Sequence, residues 1–455
     1  MPLSAKSKYS SMNRKLNILI LSTHRPGYSA GLGNDIMNCL KDAGHHVDFL
    51  CKYSGEFPKR GYRSVLSRPA VKSVVARLLP RCIKSQLKKP PQPQAVKELL
   101  AQQGMVFNDP YEIHYPDESV PGIPVDQLLE HVHGKYDLVI TLWWFGFINS
   151  TSLKAVHDRL QCPVMVLAID MAPITGGCFY FNECRRFTEQ CGRCPALRSD
   201  DPEDFTHRNY LIKKGNYYSM NCAFLGNSWM NGFARQSGLF KEQNIFKSSV
   251  IIDEEEFAPA DRQALRREMG LPKDAVVLLA RSSAEPRKGA GFIINALNYL
   301  PDSVAAGRPV VLLSIGDEFL SEHICNPHIR HEYMGRVGRS QLIRLYQVSD
   351  WFLSPSVDDA GPSMVNQSQM CGTPVVCFNN GTAVDVVVNG QSGFKTDDVT
   401  ECGYAGILNT AIDLTASSPK EYDEIRTSTR TIAMETCSKH RFSHEIMKYY
   451  QLMTS

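Results

Sequence analysis

No apolar run in this chain is long enough to cross a bilayer. The longest, Leu138–Ile148, falls well short of the roughly 20 residues a membrane helix needs. The opening residues also lack the apolar core of a secretory leader: Leu16–Leu21 is too short for one and reads as a buried strand. The expectation is a cytoplasmic protein in which the 14 cysteines stay reduced. Acidic residues are missing altogether between Glu56 and Glu98, whereas Lys59, Arg60, Arg63, Arg68, Lys72, Arg77, Arg81, Lys84, Lys88, Lys89 and Lys97 all fall there. With a net charge of only +3 the remainder is mildly acidic, so the pattern is one local basic patch and not a nucleic-acid-binding surface. No internal sequence repeat is visible.

Across 455 residues with 43% hydrophobic and 21% charged content, the chain is an ordinary soluble type with room for two or three domains. Apolar strand-like runs alternate with helix-length segments. Residues 1–14 are polar and read as disordered. Residues 15–245 read as a first α/β domain, residues 246–430 as a second, and residues 431–455 as a C-terminal helix. The linker is placed near residues 240–250.

The first strand leads into a glycine-rich turn, His24 to Gly33, whose spacing is not that of the G-x-G-x-x-G fingerprint. Within the basic segment 58–90, apolar residues from Val71 to Leu87 recur at helical spacing. Such a helix either lies in an anionic membrane interface or packs on the domain with a solvated basic face; both readings stand. Further on, Cys178, Cys184, Cys191 and Cys194 follow one another as C-x5-C-x6-C-x2-C. Four thiols at short spacing suit a structural tetrahedral zinc, with no open position for catalysis. Reduced buried thiols, or a disulfide or redox pair, are the other readings.

The second domain carries a strand running into Arg281, then Glu285-Pro286-Arg287-Lys288-Gly289 and a helix. A rigid guanidinium fork and a compact ammonium in one loop suit a diphosphate. The stretch Leu353–Phe378 is a β-loop-α-β unit with Asp359, Gly361, Pro362 and Ser363 in its loop. The helix N-terminus there favours anions.

The order of these features, a glycine-rich first turn, the EPRKG loop, a strand ending in Pro-Ser, then D-x7-Q and GTPVV, resembles the retaining GT-B glycosyltransferases of family 4. The stretch Asp170–Pro195 resembles bacterial surface-polysaccharide members. The resemblance implies an α/β fold of two Rossmann-like domains facing a central cleft, with the C-terminal helix packing back toward the first. It implies metal-independent transfer of a sugar from a UDP- or GDP-sugar, with retention, to a polysaccharide or lipid-linked acceptor. The expected setting is the cytoplasm, at the inner face of the membrane. Carried over by position, Arg281 and Lys288 hold the diphosphate, Asp359 contacts the donor sugar, and Asp170 belongs to the catalytic set. The backbone of Gly361, Pro362, Ser363 and Met364 contacts sugar and phosphate, Gln367 faces the ribose, Gly31 approaches the phosphate, and the backbone around Arg336 borders the base. Two departures stand out: Ile169 where the family often has His, and Gln367 where it has a second Glu. They motivate an alternative, a non-catalytic GT-B protein that binds a nucleotide sugar or a partner glycosyltransferase.

Overall fold

The computed structural model describes residues 14–26, 31–53, 62–66, 112–113, 117–144, 146–301, 303–305 and 307–455. The chain forms two compact units. The N-terminal unit runs to Gly226 and takes in Met230–Ser248 and Ser443–Ser455. The C-terminal unit is Ser249–Phe442 together with Asn227–Trp229.

The N-terminal unit contains β1 (Asn17–Ser22), β2 (His46–Tyr53), β3 (Arg63–Leu66), β4 (Glu112–Ile113), β5 (Leu138–Thr141), β6 (Val164–Leu167), β7 (Cys178–Tyr180), β8 (Cys222–Gly226) and β9 (Ile245–Lys247). Seven of these form one sheet in the order β3-β2-β1-β5-β6-β8-β9, every pair parallel. The short antiparallel pair β4–β7 stands apart. Parallel strands are covered on both faces, which is why β5, β6 and β8 are buried at every position. The end of the chain joins this unit. Phe246 stacks on Tyr449 at 4.5 Å, Tyr449 Oη donates to Lys247 O at 2.5 Å, and Asn221 Nδ2 donates to Met453 O at 2.8 Å.

Two expectations need correction. The tail is not one helix: Pro419–Cys437 ends at the extended Ser438, and Lys439–Thr454 begins anew. The linker expected near residues 240–250 does contain the division of the units, after Ser248, and the same stretch holds the edge strand β9. Arg63 is not part of a free basic face. It lies in β3, where its guanidinium donates to Tyr136 Oη at 2.9 Å, His131 O at 3.0 Å and Asp48 Oδ2 at 3.3 Å. Apart from residues 62–66, the basic segment 58–90 lies outside the described residues, as do residues 1–13. Among the described residues no helix is long and apolar enough to cross a membrane.

The C-terminal unit contains β10 (Val276–Ser282), β11 (Val310–Gly316), β12 (Ile329–Tyr333), β13 (Trp351–Ser354), β14 (Val375–Phe378) and β15 (Gly393–Thr396). They form one parallel sheet in the order β12-β11-β10-β13-β14-β15. Its two faces divide the apolar residues by simple alternation. Val277, Leu279, Val311, Leu313, Phe352 and Val375 pack into one core. Val276, Leu278, Leu312, Trp351, Leu353 and Val376 pack into the other.

Candidate functional site

In the C-terminal unit β10, β11 and β12 build outward in one direction. The chain then returns to place β13 on the other side of β10. Loops leaving β10 and β13 therefore diverge from a topological switch point, the place where open α/β sheets form a crevice for ligands. The first loop carries Arg281 and Glu285–Gly289. The second carries Ser356–Pro362. The two are stitched together: Val357 N donates to Arg287 O at 2.9 Å, and Lys288 Nζ pairs with Asp359 Oδ2. Arg287 adds a longer contact, Nη1 to Asp359 Oδ2 at 3.8 Å.

Gly289 makes this close passage feasible. It sits at φ 71°, and a Cβ there would lie 2.0 Å from Pro355 O. Gly289→Ala therefore meets both left-handed strain and a backbone clash that no rotamer change can relieve. We expect the variant to lower the unfolding midpoint of the C-terminal unit and to weaken nucleotide binding at least tenfold, as read by titration calorimetry. Unchanged affinity would mean that the two loops tolerate separation.

The sequence-derived residues of this unit fall around that point. Arg281 is the one exposed residue of β10. Lys288 and Asp359 are mostly buried, at 14% and 7% side-chain exposure. Pro362 caps the helix Ser363–Met370 with no side-chain hydrogen bond, so the first-turn amides there are not served by a cap side chain. Gly361 N–H donates to Asp359 Oδ1 at 3.3 Å, while Met364 packs its side chain against the core and leaves only backbone for a ligand. Arg336 follows β12, with its side chain 87% exposed and 3.4 Å from Asp317. Gln367 is different. It is 4% exposed, and its amide oxygen accepts from Tyr346 Oη at 3.2 Å. One residue that sequence reasoning passed over groups here as well: Asn227 Nδ2 donates to Ala360 O at 2.5 Å.

Within the N-terminal unit the switch point lies between β1 and β5. Gly31, at φ 92°, stands before the helix Leu32–Asp42 that follows β1. Asp170 follows β6 instead and acts as a turn residue, its Oδ1 accepting from Ala172 N at 2.9 Å. The loops at the switch point itself bring together groups that the sequence did not single out. Thr23 N–H donates to Trp143 O at 2.8 Å, and the His24 ring meets Trp143 edge-on at 5.6 Å. Burial lowers the His24 imidazole to about 4. Its folded-state value lies below the unfolded one, so this group contributes stability at neutral pH that is lost as pH falls toward its folded value. Titration by NMR is expected to show His24 neutral down to about pH 5; a midpoint near 6.5 would contradict the buried setting.

The cysteine segment follows Asp170. Cys178 opens β7, and Cys178, Cys184, Cys191 and Cys194 all line one small cavity, together with Phe181 and Phe187. Burial drives the Cys178 thiol well above its ordinary range, and Cys194, Cys191 and Cys184 push the same way. Burial also lifts Cys191 to about 12 and Cys194 to about 11, against backbone N–H groups that pull each down.

Two parallel α/β units, with cations at the switch point of the second, have the architecture of GT-B glycosyltransferases. Residues 261–427, all within the C-terminal unit, match the family described as Glycosyl transferases group 1. The D-inositol 3-phosphate glycosyltransferase of Streptomyces bingchenggensis is 26% identical over 171 residues, 35% of this chain and 38% of that protein. The match thus spans little more than a third of that relative's length. HepE from Anabaena, solved in complex with UDP, has a TM-score of 0.60 at 16% identity, covering 97% of this chain and 100% of its own. WaaG, a glycosyltransferase involved in lipopolysaccharide biosynthesis, gives 0.57 at 15% identity, with 96% and 100% covered. At these identities the two structures speak for the fold alone. Together with the family match they show a GT-B fold whose C-terminal unit is similar to the group 1 glycosyl transferases.

Proposed function

We propose that the protein transfers a sugar from a nucleotide-sugar donor to a glycan or lipid-linked acceptor of a surface polysaccharide, with retention of configuration. The observation that carries this reading is the joined pair of loops at the β10–β13 switch point, with Arg281 and Lys288 on one and the helix Ser363–Met370 starting from the other. HepE, a structural neighbour, was solved in complex with UDP-glucose, which supports a uridine donor; a GDP-sugar is the other donor to test.

In this reading Arg281 and Lys288 meet the diphosphate, and the amides of Gly361, Ser363 and Met364 complete its cradle. As the bond to the anomeric carbon breaks, negative charge grows on the leaving diphosphate. Fixed cations already in place stabilise that charge without reorganising. Asp359 balances Lys288 before the donor arrives. On binding, the ammonium is shared with phosphate and the carboxylate is released toward the donor sugar. This scheme uses no metal for the chemistry. Within the N-terminal unit Asp170 holds the turn after β6, and in the C-terminal unit Arg336 lies at the base end.

A second reading rests on Gln367. Its buried amide is engaged by Tyr346, and Ile169 precedes Asp170 where an imidazole is often found in the resembling family. Both favour a protein that binds the nucleotide sugar without turning it over. Incubation with UDP- and GDP-sugars, followed by nucleoside diphosphate release and NMR of the product anomer, separates the two. Release with a retained anomer is the expected result. Donor binding with neither hydrolysis nor transfer would leave the non-catalytic reading standing.

A further inference from the structure

From Asp170 to Asp204 the chain contains only β7 and a few short 3-10 helices. So little of this backbone is tied into ladders that its path must be held by other means. One means is a small aromatic cluster: Phe181 lies 4.8 Å from Phe187 and 4.9 Å from Phe233. The other is sulfur. Four thiols line a single cavity, and none is engaged in a disulfide.

The surroundings of these sulfurs are those of ligands more than of inert core thiols. Gly176 N–H donates to Cys191 Sγ at 3.3 Å. A neutral thiol is a weak acceptor; a backbone amide aimed at sulfur serves the thiolate, the form that binds metal. Gln190, Cys191, Gly192 and Arg193 all hold positive φ, at 72°, 60°, 84° and 44°. Such a run persists only where its surroundings over-determine it, and it folds Cys191 and Cys194 into one knuckle. Lys213, 1% exposed, lies beside the cluster with its ammonium paired to Glu118 Oε1 at 3.5 Å. The sulfurs surround the cavity without meeting: among the described residues no group of three or more His, Cys, Asp or Glu side chains stands where it could hold a metal ion.

We propose that Zn2+ binds in this cavity and draws Cys178, Cys184, Cys191 and Cys194 into a closed tetrahedral set. Four thiolates leave no open position, so the site is structural, and loading releases the thiol protons. The element it braces is the turn at Asp170. Met171 N donates to Phe179 O at 2.9 Å, within the loop between the first two cysteines and that turn. Lys213 Nζ donates to Ala172 O at 2.7 Å and Thr175 O at 2.9 Å. The inference holds whether or not the chain transfers sugar.

The test is metal analysis of the full chain, purified under reducing conditions without chelator. The expected content is about one zinc per chain, and added chelator lowers the melting temperature until zinc restores it. Cobalt in place of zinc gives the intense visible bands of tetrahedral thiolate coordination. Cys191→Ser and Cys194→Ser lose the metal, while Cys325→Ser and Cys402→Ser, at exposed positions, retain it. Should the serine variants fold poorly, the zinc count and chelator response of the unaltered chain still decide. Folded, zinc-free protein whose melting temperature zinc does not move would overturn the proposal. So would zinc that survives loss of Cys191, or a disulfide within the cluster in reduced protein.

Discussion

Lys288→Ala is expected to slow sugar transfer by about 100- to 1,000-fold, the usual cost of removing one preorganised group from a developing negative charge. The argument runs from the fold upward. Lys288 ends a 3-10 turn, Pro286–Lys288, that Gly289 closes at positive φ, and the loop is fixed by the bond from Val357 N to Arg287 O. The ammonium is thus held by backbone that cannot drift. Removing it has two separable effects. It deprives the leaving diphosphate of a fixed charge, which lowers kcat. It also leaves the mostly buried Asp359 carboxylate with Arg287 at 3.8 Å as its remaining ion-pair contact, which lowers stability. Measuring kcat, KM and the unfolding midpoint on one preparation distinguishes these. A variant with normal kcat and reduced stability would show that Lys288 only supports Asp359.

The second large effect concerns Asp350, just before β13. This buried carboxylate accepts from Arg266 Nη2 at 2.8 Å, Val277 N–H at 2.7 Å and Tyr422 Oη at 3.0 Å. Arg262 also donates to it. Burial alone would raise the Asp350 carboxyl; Arg266 and Arg262 outweigh it and hold the group below its usual range. Asp350→Ala strands the guanidinium of Arg266, whose side chain is 3% exposed. Breaking a buried pair from one side costs about 3–5 kcal/mol. Because the chain has two units, the loss is read from the transition of the C-terminal unit and not from a single global fit. The pH dependence has a definite sign. A carboxyl with a lowered folded-state value contributes stability that is present above its unfolded value and lost as pH falls through the folded one. The variant should therefore show a flatter acid limb than the parent. A change below about 1 kcal/mol, the scale of an exposed pair, would contradict the buried network.

Much of the fold was legible in the sequence because parallel strands covered on both faces are written as unbroken apolar runs. Val375–Phe378 is a strand as the sequence pattern has it, and the run Leu16–Leu21 differs from β1 by one residue at each end. The elements that escaped had physical reasons to. Phe205–Ser219 is a helix whose inward positions include Asn209 and Lys213. They are polar because they satisfy the carbonyls of Gly176, Ala172 and Thr175, so no apolar period announces the helix. β9 is three residues long, too short for alternation to register. At the candidate site, Arg281 and Lys288 were legible as two cations in one loop. The pairing of Lys288 with Asp359 was not, because the two are joined only by the adjacency of β10 and β13. The grouping of His24 with Trp143 was hidden in the same way, through β1 and β5. Position alone marks Gln367 as a candidate ligand-facing residue; the bond its amide oxygen accepts from Tyr346 Oη was not legible.

The most direct test of the central claim is thermal unfolding of the full chain with UDP, GDP, UDP-sugars and GDP-sugars, repeated with Arg281→Ala/Lys288→Ala. A ligand held only by the folded state at 100 times its dissociation constant adds about 2.7 kcal/mol of stability. The account predicts a clear rise in the unfolding midpoint with at least one nucleoside diphosphate and its sugar, and loss of that rise in the double variant. No shift with any of them, or an equal shift in the double variant, would contradict it.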